Sequence, residues 1–170
     1  SRIDQGRVGE DPILVDISSV IQEVLTVLSG EAKQRGITLK FEVPKKSLPR
    51  IRVIRGHVFE AIENLVSNGL RYSHEGGTVT VTVRTKKDSL EIKVADTGIG
   101  IPQVDQEKIF SKFFRASNAV RSFTDGSGLG LSVVKSYVEE NGGTVSFESQ
   151  ENVGTTFIIT LPIAKEDGGK

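Results

Sequence analysis

The longest periodic pattern in the chain lies in residues 58–72. Apolar residues recur there every three or four positions, which predicts a helix with one buried stripe. The stripe consists of Val58, Phe59, Ile62, Leu65, Val66, Gly69 and Leu70. The other face is polar and consists of Glu60, Asn64, Asn68, Arg71 and Tyr72. Asparagine is a mediocre helix former, so this face is read either as solvated or as a pocket wall with amide ligands.

Alternation of apolar and polar residues with period two predicts the strands. The predicted strands span residues 13–17, 37–43, 51–53, 79–83, 90–94, 144–149 and 155–161. The other predicted helices span residues 20–33, 106–114 and 129–140. Ser18 and Ser19 are candidate N-caps of the first helix, and Gly36 is its predicted end. Because hairpins are mixed with strand–helix alternation, we predict an α/β (α+β) two-layer sandwich, a mixed β-sheet covered on one face by about three helices.

Asp96 follows the strand at residues 90–94 and continues its even-numbered, buried series. Its carboxylate is therefore predicted to point into the covered face of the sheet, where it needs hydrogen-bond donors. Two interpretations fit this position. Asp96 is either an Asx-type cap where the strand turns, or an acceptor for the exocyclic amine that distinguishes adenine from guanine.

A glycine-rich loop at residues 125–130 opens directly into the predicted helix at residues 129–140. Such a loop lets backbone amides approach an anion, and the helix N-terminus adds a favourable dipole. Alone, the pattern is equally typical of a flexible connector. It lacks the Lys and Ser/Thr of a P-loop and does not follow a strand, so P-loop and dinucleotide-binding folds are disfavoured.

Composition narrows the possible classes of protein. With 170 residues, 36% of them hydrophobic, the chain is long enough for one domain with a core. It has 22 basic and 22 acidic residues, which gives no reason to expect binding to nucleic acid or to an anionic membrane. The absence of Cys excludes disulfides and thiolate chemistry and fits a reducing, cytoplasmic compartment. A first residue other than Met suggests an excised fragment, and the parent protein can still be membrane-anchored.

The two histidines, His57 and His74, are the residues to consider for a phosphoryl acceptor. His57 starts a predicted helix and His74 lies in a predicted turn. Neither setting orients an imidazole for attack, so both are predicted to be surface residues.

Four segments in this order resemble the ATP-binding catalytic domain of sensor histidine kinases, in the superfamily shared with gyrases and ATP-driven chaperones. Residues 64–73 resemble the asparagine box, residues 96–102 the first glycine box, residues 109–115 the phenylalanine box and residues 126–132 the second glycine box. The resemblance spans residues 11–164. Residues 1–10 resemble the end of the preceding dimerisation hairpin, and residues 165–170 are predicted to be a disordered tail. Gly69 and Arg71 depart mildly from the pattern, which more often has alanine and lysine.

The resemblance implies a site for ATP and Mg²⁺ beneath a lid at about residues 115–127. By position, Asn68 is the implied metal ligand, and Asn64 and Arg71 approach the phosphates; these three are the implied catalytic residues. Tyr72 packs on adenine, and Asp96 accepts a hydrogen from its amino group. The other implied nucleotide-binding residues are Gly98, Gly100, Ile101, Arg115, Gly126, Ser127, Gly128, Leu129, Gly130, Leu131 and Thr155.

The implied function is transfer of the γ-phosphoryl group of ATP to a histidine on a dimerisation hairpin, in two-component signal transduction. No His-Glu or His-Asp motif lies on a predicted helix, since His74-Glu75 is in a predicted turn. The implied partners are therefore that hairpin and, through a homodimeric parent kinase, a response regulator. Two alternatives stay open, a hydrolysing ATPase of the same superfamily and a nucleotide-binding module without chemistry. The ATPases place a glutamate one turn before the metal-binding asparagine, where this chain has Asn64, and an amide cannot act as the base.

Overall fold

The computed structural model describes residues 10–122 and 128–163 of the chain. The strands are β1 (Ile13–Val15), β2 (Thr38–Glu42), β3 (Ile51–Val53), β4 (Thr78–Lys86), β5 (Ser89–Asp96), β6 (Thr144–Gln150) and β7 (Gly154–Pro162). The helices are α1 (Ile17–Arg35), α2 (Arg55–Tyr72), α3 (Ser117–Ser122) and α4 (Gly130–Glu140), with a 3₁₀ helix at Gln103–Lys108. Within the described ranges, no helix has both the length and the apolar character needed to span a membrane.

Five strands form one mixed sheet in the order β2, β4, β5, β7, β6. β2 is parallel to β4, whereas the β4–β5, β5–β7 and β6–β7 pairs are antiparallel. β1 and β3 form a separate antiparallel ribbon. Because parallel strands need a crossover connection, the chain between β2 and β4 passes over the sheet and includes α2. The predicted mixed sheet is confirmed.

The core lies between one face of this sheet and the helices α1, α2 and α4. α2 is central because it packs against α1, α4 and β5. Its apolar stripe is buried as predicted except at Phe59, which is partly buried, and Ile62, Val66 and Leu70 have no exposed surface. Gly69 fits the close approach of α2 to β4, since a Cβ there would lie 2.9 Å from Cγ2 of Val79. The glycine that departs from the usual alanine is therefore matched to the packing around it.

α1 is longer than predicted. It begins at Ile17, and its N-cap is Asp16, whose Oδ1 accepts a hydrogen bond from the Ser18 amide at 3.0 Å. Ser18 and Ser19 are thus inside the first turn, because aspartate caps a helix as well as serine does. Gly36 ends the helix with a φ of 69°, as predicted.

The predicted α-helix at residues 106–114 is wrong. The 3₁₀ helix covers only the first part of this segment, and turns follow it. Phe113 has a φ of 64°, which no α-helical residue has, and its amide donates to the Gly128 carbonyl at 2.9 Å. Ile109 is buried and the Phe110 ring packs on Phe147 and Phe157. These tertiary contacts outweigh the helical spacing of the apolar residues.

The predicted polar loop at residues 115–127 contains a short helix, α3, in its described part. Asn118 and Ala119 on this helix are buried. The rest of the loop, with Gly126 and Ser127, lies outside the described residues. The same holds for residues 1–9 of the predicted hairpin end and for the whole tail at residues 165–170.

His57 is not the surface residue that was predicted. It is buried, and its ring stacks on Tyr137 of α4 with centroids 4.1 Å apart. Its Nδ1 lies 3.4 Å from Oε2 of Glu140. No local pattern indicates this burial, because it depends on where α4 crosses α2. His74 is exposed, as predicted.

Candidate functional site

A cavity of about 420 Å³ lies between α2, the end of β5, α3 and the start of α4. Its size is in the range of small-molecule sites. The lining includes most of the predicted site residues, namely Asn64, Asn68, Arg71, Tyr72, Asp96, Gly100, Ile101, Arg115, Gly128, Leu129, Gly130, Leu131 and Thr155. The fold thus brings together residues from five separate segments of the sequence.

The polar face of α2 forms one wall of the cavity. Asn64, Asn68 and Arg71 line it at successive turns, because residues three or four apart share a helix face. Nε of Arg71 is buried and has no hydrogen-bond partner among the described residues. A buried donor of this kind needs an acceptor, and a guanidinium is suited to an anionic one.

Asp96 lies on another side of the cavity, at the end of β5 and opposite Thr155 of β7. Its Oδ1 accepts hydrogen bonds from the amides of Gly98 at 2.8 Å and Thr155 at 3.3 Å. The bond from Gly98 is an Asx turn, which confirms the first interpretation of this residue. The second interpretation, an acceptor for the exocyclic amine of adenine, stays a prediction. Burial raises the pKa of Asp96 to about 6, against the opposing effect of the two backbone hydrogen bonds. Both donors reach Oδ1, which leaves Oδ2 for a donor from a ligand.

The first glycine segment, residues 96–102, packs closely against the backbone of neighbouring parts of the chain. Gly100 lines the cavity with a φ of 69°, and a Cβ there would lie 2.1 Å from the Gln150 carbonyl oxygen. Gly98 is not among the lining residues, and a Cβ there would lie 2.6 Å from the Tyr72 carbonyl oxygen. Both glycines are therefore required by the local packing, whatever the ligand does.

The N-terminus of α4 meets the polar face of α2 across the cavity. α4 begins at Gly130 after Leu129, without a side-chain cap. A Cβ on Gly130 would lie 3.7 Å from Oδ1 of Asn64. The first amides of a helix lack intrahelical partners and carry a partial positive charge. This corner of the cavity is therefore suited to an anion such as phosphate.

Arg115 and Thr155 complete the predicted set. Nη2 of Arg115 donates to the Ala119 carbonyl at 3.4 Å, which ties the arginine to α3. Thr155 is buried, and its hydroxyl lies 2.7 Å from that of Ser149. Its amide also holds Asp96, so its role in the lining is mainly through the backbone.

Several lining residues were not predicted from sequence. They are Glu60, Glu63, Ser67, Ile99, Ile109, Phe114, Ala116, Asn118, Ala119, Val133 and Phe157. The polar face of α2 already contains Glu60, and Ser67 lies inside the asparagine box. Asn118 had no such signal, because α3 has only six residues and too few positions to show a period.

A metal site of the His, Cys or carboxylate kind is absent from residues 10–122 and 128–163, since three such side chains nowhere come together. Amide oxygens are present instead, on Asn64 and Asn68, with the carboxylates of Glu60 and Glu63 near them on the same wall. Mg²⁺ prefers oxygen ligands, keeps several waters and shares the phosphates of a nucleotide with few protein groups. The donor set fits Mg²⁺ bound together with a polyphosphate.

Residues 54–165 match the family described as histidine kinase-, DNA gyrase B- and HSP90-like ATPase. Among curated proteins, the sensor-like histidine kinase SenX3 of Mycolicibacterium smegmatis is 35% identical over 148 residues, which is 87% of this chain and 38% of that protein. The chain thus spans well under half the length of this relative.

Solved structures agree with the match. The catalytic domain of histidine kinase ThkA superposes with a TM-score of 0.78 at 28% identity, covering 90% of this chain and 96% of that one. Full-length ShkA in complex with AMPPNP gives a TM-score of 0.79 at 27% identity, covering 92% of this chain and 32% of that one. ThkA has also been solved with the response regulator protein TrrA, with a TM-score of 0.74 at 26% identity over 92% and 43% of the two chains. The chain therefore belongs to the histidine kinase-, DNA gyrase B- and HSP90-like ATPase family, and within it to the catalytic domains of sensor histidine kinases.

Proposed function

We propose that this domain binds Mg-ATP in the cavity and donates the γ-phosphoryl group to a histidine on the dimerisation hairpin of its parent kinase. The observation that carries the proposal is the pairing of two unlike ends in one cavity. A buried carboxylate, Asp96, lies at one side, and an amide-lined wall with a helix N-terminus that no described side chain caps lies at the other. This polarity matches a nucleotide, which has hydrogen-bond donors on its base and anions on its phosphates.

At the base end, Asp96 is proposed to read adenine. Its Oδ1 is held by two backbone amides, so the carboxylate is fixed before a ligand arrives. Oδ2 can accept one hydrogen of the adenine amino group. Guanine has a carbonyl oxygen at the corresponding position, and two acceptors would face each other. Tyr72 and Ile101 are proposed to pack on the base from the cavity wall.

At the phosphate end, the proposed contacts are Asn64, Arg71 and the first amides of α4. The buried Nε of Arg71 supports this assignment, since it has no hydrogen-bond partner in the described part of the chain. Asn68 is the proposed Mg²⁺ ligand through its amide oxygen. Mg²⁺ supplies neutralisation of phosphate charge when it is bound. Arg115, Gly128 and Leu131 are proposed to close over the phosphates from the side of the lid, together with Gly126 and Ser127 outside the described residues.

The chemistry asked of the protein is positioning and charge stabilisation, which dominate phosphoryl transfer. The acceptor is proposed to come from outside the domain. His57 is buried between α2 and α4, and His74 is exposed in a turn and does not line the cavity. The nucleophilic histidine, its base and its orientation would then all belong to the hairpin.

The test uses the chain with labelled Mg-ATP and a separately prepared dimerisation hairpin of the parent kinase. We expect acid-labile, base-stable label on the hairpin and none on the chain. Asn68→Ala should abolish transfer by removing the metal ligand. Asn152→Gly is the matched control, because it removes an asparagine side chain outside the cavity lining, at a φ of 65° that glycine adopts freely. Label on the chain itself, or equal transfer by both variants, would refute the proposal.

Hydrolysis is the second candidate function, because Glu60 and Glu63 line the same wall as Asn64. Either carboxylate could take a proton from water if it reached the γ-phosphate. We expect slow release of phosphate from ATP without the hairpin. The rate of release should be the same in Glu60→Gln and Glu63→Gln as in the wild type. Fast release that depends on one of these glutamates would favour an ATPase.

The remaining expectations concern the parent protein. We propose that it is a homodimeric sensor kinase that acts in the cytoplasm and passes the phosphoryl group to a response regulator. The support is the similarity to SenX3 and to ThkA, whose structure with TrrA is known. Size-exclusion chromatography with light scattering on the parent protein tests the dimer, and transfer of label to a purified response regulator tests the pathway.

A further inference from the structure

Asn118 is the buried polar side chain of the cavity that the family motifs leave without a role. It lies on α3, within the segment expected to form the lid, and only 7% of its surface is exposed. It lines the cavity together with its neighbour Ala119 and with Gly100 of the first glycine segment. The hydrogen bonds of its two amide atoms show what this side chain does.

The amide group of Asn118 has a defined orientation. Nδ2 donates to the Gly100 carbonyl at 2.9 Å and to the Ile99 carbonyl at 3.4 Å. If the amide were turned over, Oδ1 would face these two acceptor oxygens and be repelled. The nitrogen is therefore directed to the glycine segment, and Oδ1 is directed elsewhere.

Oδ1 of Asn118 is buried and has no hydrogen-bond partner among residues 10–122 and 128–163. Most buried polar atoms in proteins are hydrogen-bonded, and an unsatisfied one is costly. None of the described residues supplies the donor that this atom needs. Because the side chain lines the cavity, the missing donor belongs to whatever fills the cavity.

We propose that Asn118 is a nucleoside-contacting residue, whose Oδ1 accepts a hydrogen bond from a ribose hydroxyl or from the adenine amino group. This inference rests on the proposed function. Phosphates are excluded as partners because at neutral pH they offer acceptors and essentially no donors. Within a nucleotide, donors occur only on the base and the sugar, so Asn118 reads the nucleoside end of the ligand, the end that Asp96 also reads.

The same side chain links nucleotide binding to the position of the lid. Nδ2 holds α3 on the glycine segment while Oδ1 holds the ligand, so one amide joins three parts of the site. The neighbouring Ser117 adds a second tie, since its amide and hydroxyl both donate to Oδ2 of Asp105, at 2.9 and 2.8 Å. Ser117 does not line the cavity and offers a matched control on the same helix.

The experiment measures Kd by calorimetry with Mg²⁺ for the wild-type chain, Asn118→Ala and Ser117→Ala. The ligands are ATP, 2′-deoxy-ATP, 3′-deoxy-ATP and purine riboside triphosphate, which lacks the amino group. We expect Asn118→Ala to weaken ATP binding about three- to tenfold, the range for a neutral hydrogen bond. We expect this loss to disappear for the one analogue that lacks the donating group, and that analogue identifies the donor.

The wild-type chain alone gives a second measurement. If a ribose hydroxyl is the donor, the wild type should bind the corresponding deoxy analogue about three- to tenfold more weakly than ATP. If the amino group is the donor, the wild type should lose more than this with purine riboside triphosphate, because Asp96 is proposed to pair with the same group. Ser117→Ala should show the same preferences as wild type. An Asn118→Ala loss that is equal for all four ligands, or no loss at all, would overturn the inference while leaving ATP binding intact. Failure of the wild-type chain to bind ATP would instead refute the proposed function itself.

Discussion

Two carboxylates on one strand, Glu91 and Asp96 of β5, have opposite surroundings. Glu91 lies on the face of the sheet away from the helices. Its carboxylate is 2.7 Å from Nε of Arg84, 3.5 Å from Nζ of Lys86 and 3.8 Å from Nζ of Lys93. Asp96 lies at the cavity and accepts hydrogen bonds from backbone amides, with no ion pair among the described residues.

The two pKa values follow these surroundings. Burial alone would raise the pKa of Glu91, but the Arg84 hydrogen bond and the charges of Arg84, Lys93 and Lys86 together hold it below 4.5. At Asp96 burial prevails and the pKa rises to about 6. Glu91 is thus a structural carboxylate, because neighbouring cations of the protein balance its charge. Asp96 is a candidate site carboxylate, whose remaining hydrogen-bond partner is expected to come from the ligand.

The largest expected effect is on stability at Asp96. Asp96→Asn should raise the free energy of unfolding at pH 7 by about 3 kcal/mol, because ionising a group whose pKa has moved from 3.8 to about 6 costs that much in the folded state. Asn keeps an oxygen for the amides of Gly98 and Thr155. Chemical denaturation followed by circular dichroism measures the change.

The pH dependence of this effect has a definite sign. Between about pH 4 and pH 6 the folded chain binds more protons at Asp96 than the unfolded chain, so the wild type should lose stability as the pH rises through this window. Asp96→Asn should not show that loss. If Asp96→Asn raises the free energy of unfolding as much at pH 4 as at pH 7, the raised pKa of Asp96 is not the cause.

The next effect concerns ATP affinity. If only ionised Asp96 accepts the adenine amino hydrogen, lowering the pH from 7 to 5 should weaken ATP binding about tenfold, since the pKa in the free chain is about 6. Calorimetric titrations of wild type and Asp96→Asn at both pH values measure this. The protonation of ATP itself is common to both proteins and cancels in the comparison. If ATP affinity falls equally from pH 7 to pH 5 in the wild type and in Asp96→Asn, the charge of Asp96 has no role in ATP binding.

The smallest expected effect is at Glu91. Glu91→Gln should lower the free energy of unfolding by about 0.5–1 kcal/mol at pH 7, because the partners Arg84 and Lys86 are more than half exposed and screened by solvent. This contribution should be present above pH 4.5 and fade as the pH falls through the lowered pKa. ATP affinity should not change. A change in ATP affinity would remove the distinction between the two carboxylates.

Local periodicity predicted the parts of the site that lie on long elements. The two faces of α2 and the inward position of Asp96 follow from side-chain spacing alone, because a helix or strand of eight residues or more repeats its pattern several times. Side-chain spacing does not predict the order of the strands, because that order depends on which strands pair with each other across the sheet.

The errors concentrate in residues 103–122. Phe113 with its left-handed backbone, the short α3 and the buried Asn118 are set by contacts with Gly128 and Gly100, which are distant in sequence. The burial of His57 has the same cause, since it depends on Tyr137. Short elements carry little periodic signal, so tertiary contacts decide their structure.

The most direct test of the account is whether Asp96 pairs with the amino group of adenine. Calorimetry with Mg²⁺ compares ATP and purine riboside triphosphate, which lacks that group, on wild type, Asp96→Ala and the control Glu91→Gln. The account predicts that Asp96→Ala weakens ATP binding about ten- to a hundredfold, the range for a hydrogen bond to a charged group, and leaves binding of the analogue unchanged. Equal losses for both ligands, or no loss for ATP, would contradict it.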